Sequence, residues 1–216
     1  MQLSKFFQKP QLLFRVAQPK DKENILKFLD AHFAKEEPCA RALKLSPETS
    51  RGIFTTTVTR CLNFPFSTVV LQENDEIAAC LLASVWNRTD PIDIQFINSA
   101  HSNFWKIAPP NVNSIIHREI GSVAPQFTRK GIATRMVTTN MTKTNLKKYN
   151  IGGVLSETSS LANQIVLQKA GFKCLKELPY SAIVDSKGNR VLRPDDGTTS
   201  LCLNFKPIEE YENLPE

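Results

Sequence analysis

VAPQFTRKGIAT, residues 123–134, joins an apolar run to a segment with helical spacing. The run before it, Ile115 to Val123, reads as a strand, and Lys130 to Lys148 has the spacing of a helix. Between them Arg129 and Lys130 precede Gly131, and the small Ala133 stands two positions on. The first turn of a helix leaves backbone N–H groups without intrahelical partners, and the helix dipole favours an anion there. Gly131 removes a side chain that would hold an anion away. Arg129, Lys130 and Arg135 add charge at the same end. Such a turn suits a pyrophosphate. The competing reading is a solvated basic turn whose glycine simply packs. The chain has no G-x-x-x-x-G-K-[ST], and no G-x-G-x-x-G near its first strand.

Working outward, Leu12 to Val16 is a compact apolar run that predicts a first strand. Pro19 breaks it, and Asp21 is placed to cap a helix starting at Lys22. Apolar positions at Ile25, Leu26, Phe28, Leu29 and Phe33 predict that amphipathic helix over Lys22 to Phe33. Glu36-Glu37-Pro38 stops or redirects it. Ser46 and Pro47 open a second helix, Pro47 to Leu62. Thr68 to Gln72 and Ile77 to Trp86 read as a hairpin turning at Glu73 to Glu76. Residues 87–113 are irregular, with a helix expected over 93–104. Val154 to Thr158 is a strand, Leu161 to Ala170 a helix ended by Gly171, and Lys173 to Leu178 and Thr199 to Phe205 are late strands. A turn-rich loop around Asp185 to Asn189 separates those two. This order predicts a mixed sheet with helices on both faces. We expect one domain over residues 11–207, flanked by tails at 1–10 and 208–216.

Composition narrows the partners. The 216 residues are 41% hydrophobic, enough for a core and against disorder. No run approaches the length of a membrane span, and the start carries no secretory cleavage pattern. The net charge is +6, but the Lys and Arg are spread along the whole chain rather than clustered. That argues against nucleic acid and leaves a small polyanion. The five scattered cysteines include no C-x-x-C pair, which argues against a disulfide framework and a zinc site. The three histidines lack metal-pair spacing, so no metal is expected. A reducing, cytoplasmic location is the matching expectation, with the chain a monomer or weak dimer.

Val123 to Ala133 resembles the V-x-P-x-[aromatic]-[Q/R]-x-x-G-[aliphatic]-[G/A] signature of the GNAT superfamily of acetyl-coenzyme A dependent N-acetyltransferases. Thr128 departs from the usual Gln or Arg. Ser159-Ser160 through Ala170-Gly171-Phe172 looks like the next strand end and helix of that superfamily. His32-Phe33-x-x-Glu36-Glu37-Pro38-x-x-Arg41-Ala42-Leu43 is similar to the invertebrate arylalkylamine N-acetyltransferases, with their F-x-x-[D/E]-E-P. The resemblance runs from about residue 12 to 205. It implies an α/β (α+β mixed) fold: a central mixed, mostly antiparallel twisted sheet of about seven strands with helices on both faces. The implied activity is transfer of an acetyl group from acetyl-coenzyme A to a small, arylalkyl amine. The alternatives are another acceptor (a polyamine, an amino acid or a protein N-terminus) or a non-catalytic binding module on the same fold.

Acyl transfer needs a neutral amine, a polarised carbonyl and a tolerated leaving thiolate. The resemblance places the base at Glu37, where Pro38 forces a chain break; a solvated helix-end acid is the reading that suits Glu36. His117 and Glu119 share one strand face and form a second candidate pair. Ser159 is a further catalytic candidate, although a serine before a helix often only caps it. For the cofactor, the implied residues are Val123, Thr128, Arg129, Lys130, Gly131, Ile132, Ala133, Thr134, Ser160 and Asn163, with the N–H near Val123 polarising the thioester. The superfamily's usual tyrosine proton donor falls at Leu167, where no tyrosine stands. Phe33, Phe64, Phe66, Trp86 and Trp105 are candidate pocket aromatics, each equally a core residue.

Overall fold

The computed structural model describes residues 11–90 and 104–216. The expected tail over residues 1–10 and nearly all of the helix expected over 93–104 lie outside those residues. Among the described residues seven strands form one sheet: β1 (Leu13–Val16), β2 (Thr68–Leu71), β3 (Ile77–Asn87), β4 (Ser114–Val123), β5 (Ile151–Thr158), β6 (Lys173–Pro179) and β7 (Ser200–Pro207). Their spatial order is β1-β2-β3-β4-β5-β7-β6. Only β4 and β5 are parallel; the other neighbours run antiparallel. A parallel pair needs a crossover, and residues 124–150 supply it. The sheet is thus mixed and mostly antiparallel, as the resemblance implies.

One face is covered by α1 (Lys22–Phe28), α2 (Ala34–Glu36), α3 (Pro38–Leu43) and α4 (Pro47–Cys61). Ile25, Leu29, Phe54 and Val58 pack there against Val69, Cys80 and Leu82 of the sheet. After β3 comes α5 (Phe104–Ile107), whose Phe104 packs with Ile115, Leu155 and Leu203. The other face carries α6 (Ile132–Met136), α7 (Lys143–Lys148) and α8 (Leu161–Lys169). Val137, Leu146, Leu167 and Phe172 meet Ile116 and Val154 in that layer. Gly153 has a steric reason: a Cβ there would sit 2.3 Å from the Phe205 ring.

Four local expectations are corrected. Asp21 does not cap α1 with its side chain; it holds Arg15 through two hydrogen bonds of 2.7 and 2.8 Å and accepts from the Gln18 N–H. The first helix is not uniform: residues Leu29–Phe33 form a π-helical turn between α1 and α2. Nor is Lys130 to Lys148 one helix. Asn140 takes φ 68°, and its side chain donates to Ser67 O and Thr68 Oγ1. Thr142 then caps α7 by accepting from Asn145 N–H. Local side-chain hydrogen bonding outcompetes helix propagation over Thr138 to Asn140. Finally, residues 208–216 pack on the domain: Tyr211 and Leu214 join the Phe172 layer, and Lys143 N–H donates to Pro215 O.

Candidate active site

The site begins where the sheet opens. β4 and β5 pair from Ser114–Ile151 to Arg118–Ser156, and the pairing stops there, although β4 runs on to Val123 and β5 to Thr158. At the same level β4 carries a bulge toward β3. Leu82 faces Ile120 and Ala83 faces Arg118, leaving Glu119 as the extra residue. The opening connects cavities on the two faces of the sheet.

On the α6–α8 side lies a cavity of about 400 Å³, lined by Gly121 to Val123, the Thr128–Gly131 turn, α6 and Asn163. Gly131 is the N-cap of α6 with φ 77°, and nothing lies within 4 Å of where its Cβ would be. Arg129 is also left-handed, at φ 58°. This places successive backbone N–H groups around an open concavity, a geometry that favours an anion. Val123, Thr128, Arg129, Gly131, Ile132, Ala133, Thr134, Ser160 and Asn163 all line this cavity. Lys130 does not; its ammonium lies 5.1 Å from the centre of the Phe127 ring, and Arg135 stacks 3.8 Å over Phe14. The Thr128 hydroxyl donates to Pro125 O at 2.8 Å. Ser160 caps α8 by accepting from Asn163 N–H, the structural role that its position allowed.

On the opposite side a cavity of about 320 Å³ has apolar walls, with Phe33, Leu43, Leu45, Phe54 and Trp86 among them. Glu37, His117, Glu119, Glu157 and Ser159 also face it. Glu37 is the N-cap of α3, its Oε2 accepting from Ala40 N–H at 2.5 Å. The chain breaks there because Glu37 is extended (ψ 122°) ahead of Pro38. Its Oε1 accepts from the Ser159 hydroxyl at 2.7 Å. Glu36 is exposed.

His117 is buried, its ring centroid 4.4 Å from that of Trp86. Its Nδ1 lies 3.9 Å from Glu119 Oε1 and its Nε2 3.9 Å from Glu157 Oε2. Glu119 and His117 do share a face. Glu119, however, is held as an anion: Arg60 Nε donates to Oε1 at 2.9 Å, and Arg60 Nη2 donates to Oε2. Burial raises its pKa, but the Arg60 hydrogen bond and charge outweigh that and the net shift is downward. A carboxylate so engaged is a poor proton acceptor. Among the candidate aromatics, Phe33 and Trp86 line this pocket, Phe64 and Phe66 stack on Tyr149 on the other face, and Trp105 packs beside Phe104.

Further residues at the site carry no local sequence signal. Tyr180 is fully buried and donates to Ser159 O at 2.9 Å, and Cys39 Sγ donates to the Tyr180 oxygen at 3.3 Å. Burial pushes the Cys39 thiol up to about 11, so it is no nucleophile here. Arg60 and Glu157 likewise line the pocket, the first paired with Glu119 and the second beside His117. Arg118 is the exception, with a signal of its own: an arginine inside SIIHREIGSV, on the strand face occupied by Ile116.

No protein-family model matches the chain, and no curated protein matches it by sequence. Solved structures do. Arylalkylamine N-acetyltransferase 2 from Aedes aegypti superposes with a TM-score of 0.74 at 16% identity, over 92% of this chain and 99% of that one. Drosophila melanogaster polyamine N-acetyltransferase, which forms N-acetylagmatine, gives 0.71 at 19% identity, over 92% and 100%. The C-terminal condensation domain of Ebony, solved with beta-alanyl-dopamine, gives 0.72 at 15% identity, over 93% and 100%. This is the GNAT fold. At these identities the likeness establishes the fold of the chain. Among the described residues, no helix is long and apolar enough to cross a membrane.

Proposed function

We propose that the protein is an acetyl-coenzyme A dependent N-acetyltransferase that acylates the primary amine of a small arylalkyl amine by direct attack. The reading rests on one observation above all. The gap between β4 and β5 joins an open, basic-rimmed cavity at a helix start to an apolar pocket edged with carboxylates. The residues fit the cofactor. The Arg129–Ala133 turn offers backbone N–H groups to its diphosphate, and a Cβ-free Gly131 leaves room. The unpaired edge of β4 at Gly121 to Val123 offers backbone groups to its amide arm and, at the bulge, to the carbonyl. When bound, the cofactor supplies the acyl group as a thioester.

Glu37 takes the amine proton, with Ser159 fixing the orientation of its carboxylate through the 2.7 Å hydrogen bond. Glu119 keeps its charge on Arg60 and serves to position that helix. The apolar walls of Phe33, Phe54 and Trp86 favour an aromatic acceptor. A polyamine is the second reading, and the Glu37 and Glu157 carboxylates facing the same pocket favour it. The neighbours include enzymes of both kinds. Thermal stabilisation by coenzyme A tests the cofactor. A thiol-release assay with phenethylamines and indolethylamines, set against polyamines, amino acids and peptides, then tests the acceptor. No stabilisation would end the enzymatic reading, and a preference for polyamines would end the arylalkyl one. We further expect a cytoplasmic, monomeric or weakly dimeric protein.

A further inference from the structure

The cofactor-side cavity and the acceptor pocket have no lining residue in common; the β4–β5 gap between them is a cavity of its own that overlaps both. Gly121, Ser122, Val123, Ser160, Ala162, Asn163 and Arg118 line both the gap and the cofactor-side cavity, and Arg118 is the one ionisable side chain among them. It is 8% exposed. Its Nε and Nη1 make no hydrogen bond among the described residues, where no carboxylate pairs with it either. Burial draws its pKa down to about 10, so it stays charged at neutral pH, and among the described residues only Tyr211 acts to raise it. A buried guanidinium without a counter-ion is costly, because desolvation is not repaid. Nothing in the packing of β4 demands it. Its neighbours on that face are the apolar Ala83, Ile116 and Val154 and, directly opposite on β5, the uncharged Ser156.

Resting on the acyltransferase reading above, we propose that Arg118 is a catalytic residue that stabilises the leaving thiolate. The acyl group must cross from one cavity to the other, so its sulfur lies at their junction. In the transfer the amine nitrogen forms a bond to the carbonyl carbon, and one amine proton goes to the base. The carbon–sulfur bond breaks with its electron pair on sulfur, leaving an N-acyl amine and a thiolate. The negative charge that appears beside Arg118 is the counter-ion the guanidinium lacks. No proton donor is then needed on the cofactor side, where α8 offers Ser160, Ala162, Asn163 and Val166, none of them ionisable. The titratable groups facing this point among the described residues are Tyr211 from the C-terminal segment, neutral because burial raises its pKa, Arg129 from the turn before α6, and Glu36, Glu37, Arg41, Glu119, Glu157 and Asp196 around the gap.

The test reads the thiol of bound coenzyme A through its thiolate ultraviolet absorbance as pH is raised. In the wild-type protein the thiol should ionise at least about one pH unit below free coenzyme A, since a nearby cation favours the anion. In Arg118→Met that shift should vanish, and Arg118→Lys should restore part of it. Desulfo-coenzyme A, which has no thiol, should bind both proteins equally. Arg118→Met should fold, because it removes an uncompensated buried charge, and its thermal midpoint checks this. If coenzyme A fails to bind the wild type, the acyltransferase reading itself falls. If coenzyme A binds and its thiol titrates identically in wild type and Arg118→Met, only the role of Arg118 is overturned.

Discussion

The Ser159 hydroxyl donates to Glu37 Oε1 at 2.7 Å, bridging 122 positions of sequence. The bond ties the helix start after the Glu37–Pro38 break to the turn leaving β5, across the mouth of the acceptor pocket. The same carboxylate caps α3 through Oε2. In the proposed reading this side chain carries a chemical duty besides its structural one, and its substitutions must be chosen to separate them.

Glu37→Gln keeps an oxygen that can cap α3 and removes the proposed base. We expect kcat to fall by about 10²-fold or more, with the thermal midpoint and coenzyme A affinity little changed. Ser159→Ala should cost about 10-fold or less, acting through carboxylate orientation. Steady-state kinetics with the best amine would check both, and full activity in Glu37→Gln would remove it as the base.

Gly131→Ala separates space from backbone strain. Nothing stands within 4 Å of the added Cβ, but φ is 77°, so the methyl group meets no clash and still strains the chain by about 1 kcal/mol. A modest fall in melting temperature and weaker coenzyme A binding should result. Gly131→Glu should abolish binding, because it sets a carboxylate where an anion belongs. Calorimetric titration with coenzyme A distinguishes these outcomes, and unchanged affinity in Gly131→Glu would refute the anion site.

The Arg60–Glu119 pair should behave as structure. Glu119→Gln leaves Arg60 partly buried and unpaired, at a cost of about 2 kcal/mol. Adding Arg60→Met should recover part of that loss, a coupling of about 1 kcal/mol or more in a double-mutant cycle. Urea unfolding would measure it. Loss of turnover in Glu119→Gln without loss of stability would instead make Glu119 the base.

Stability should fall in acid partly through Asp21. Its hydrogen bond with Arg15 is the largest influence on its pKa and holds it below the usual 3.8. The folded state therefore binds that proton less readily than the unfolded chain. The contribution is present above the unfolded value, about pH 4, and is lost as pH falls through the lower folded value. Arg15 is partly exposed, so about 1 kcal/mol is expected. Urea midpoints in Asp21→Asn should lose this acid-range slope relative to wild type.

Much of the frame was legible because hydrophobic period and turn chemistry agree. The β2–β3 hairpin turns over Glu73 to Glu76 as expected, and Ser46 caps α4 ahead of Pro47. The break of α6 from α7 was not legible, since it depends on Asn140 reaching β2, some seventy residues away in sequence. Among the candidate site residues, Glu37 is singled out by the resemblance, with Pro38 marking the chain break, and the turn at Gly131 by its glycine and basic neighbours. The engagement of Glu119 by Arg60 could not be read, because nothing local says which helix lies over the strand. Arg118 could have been found by asking why an apolar strand face carries a guanidinium.

A sheet whose parallel ladder ends at Arg118 and Ser156 is, mechanically, two plates hinged along one short seam. The β1–β4 plate and the β5–β7 plate share a backbone ladder only over the lower rungs, so above them their relative tilt rests on side-chain contacts such as Glu37–Ser159. A molecule threaded into the upper gap acts as an extra strand and locks that tilt. Amide exchange in β5 and β7, distant from any direct contact with the diphosphate, should then slow when coenzyme A binds.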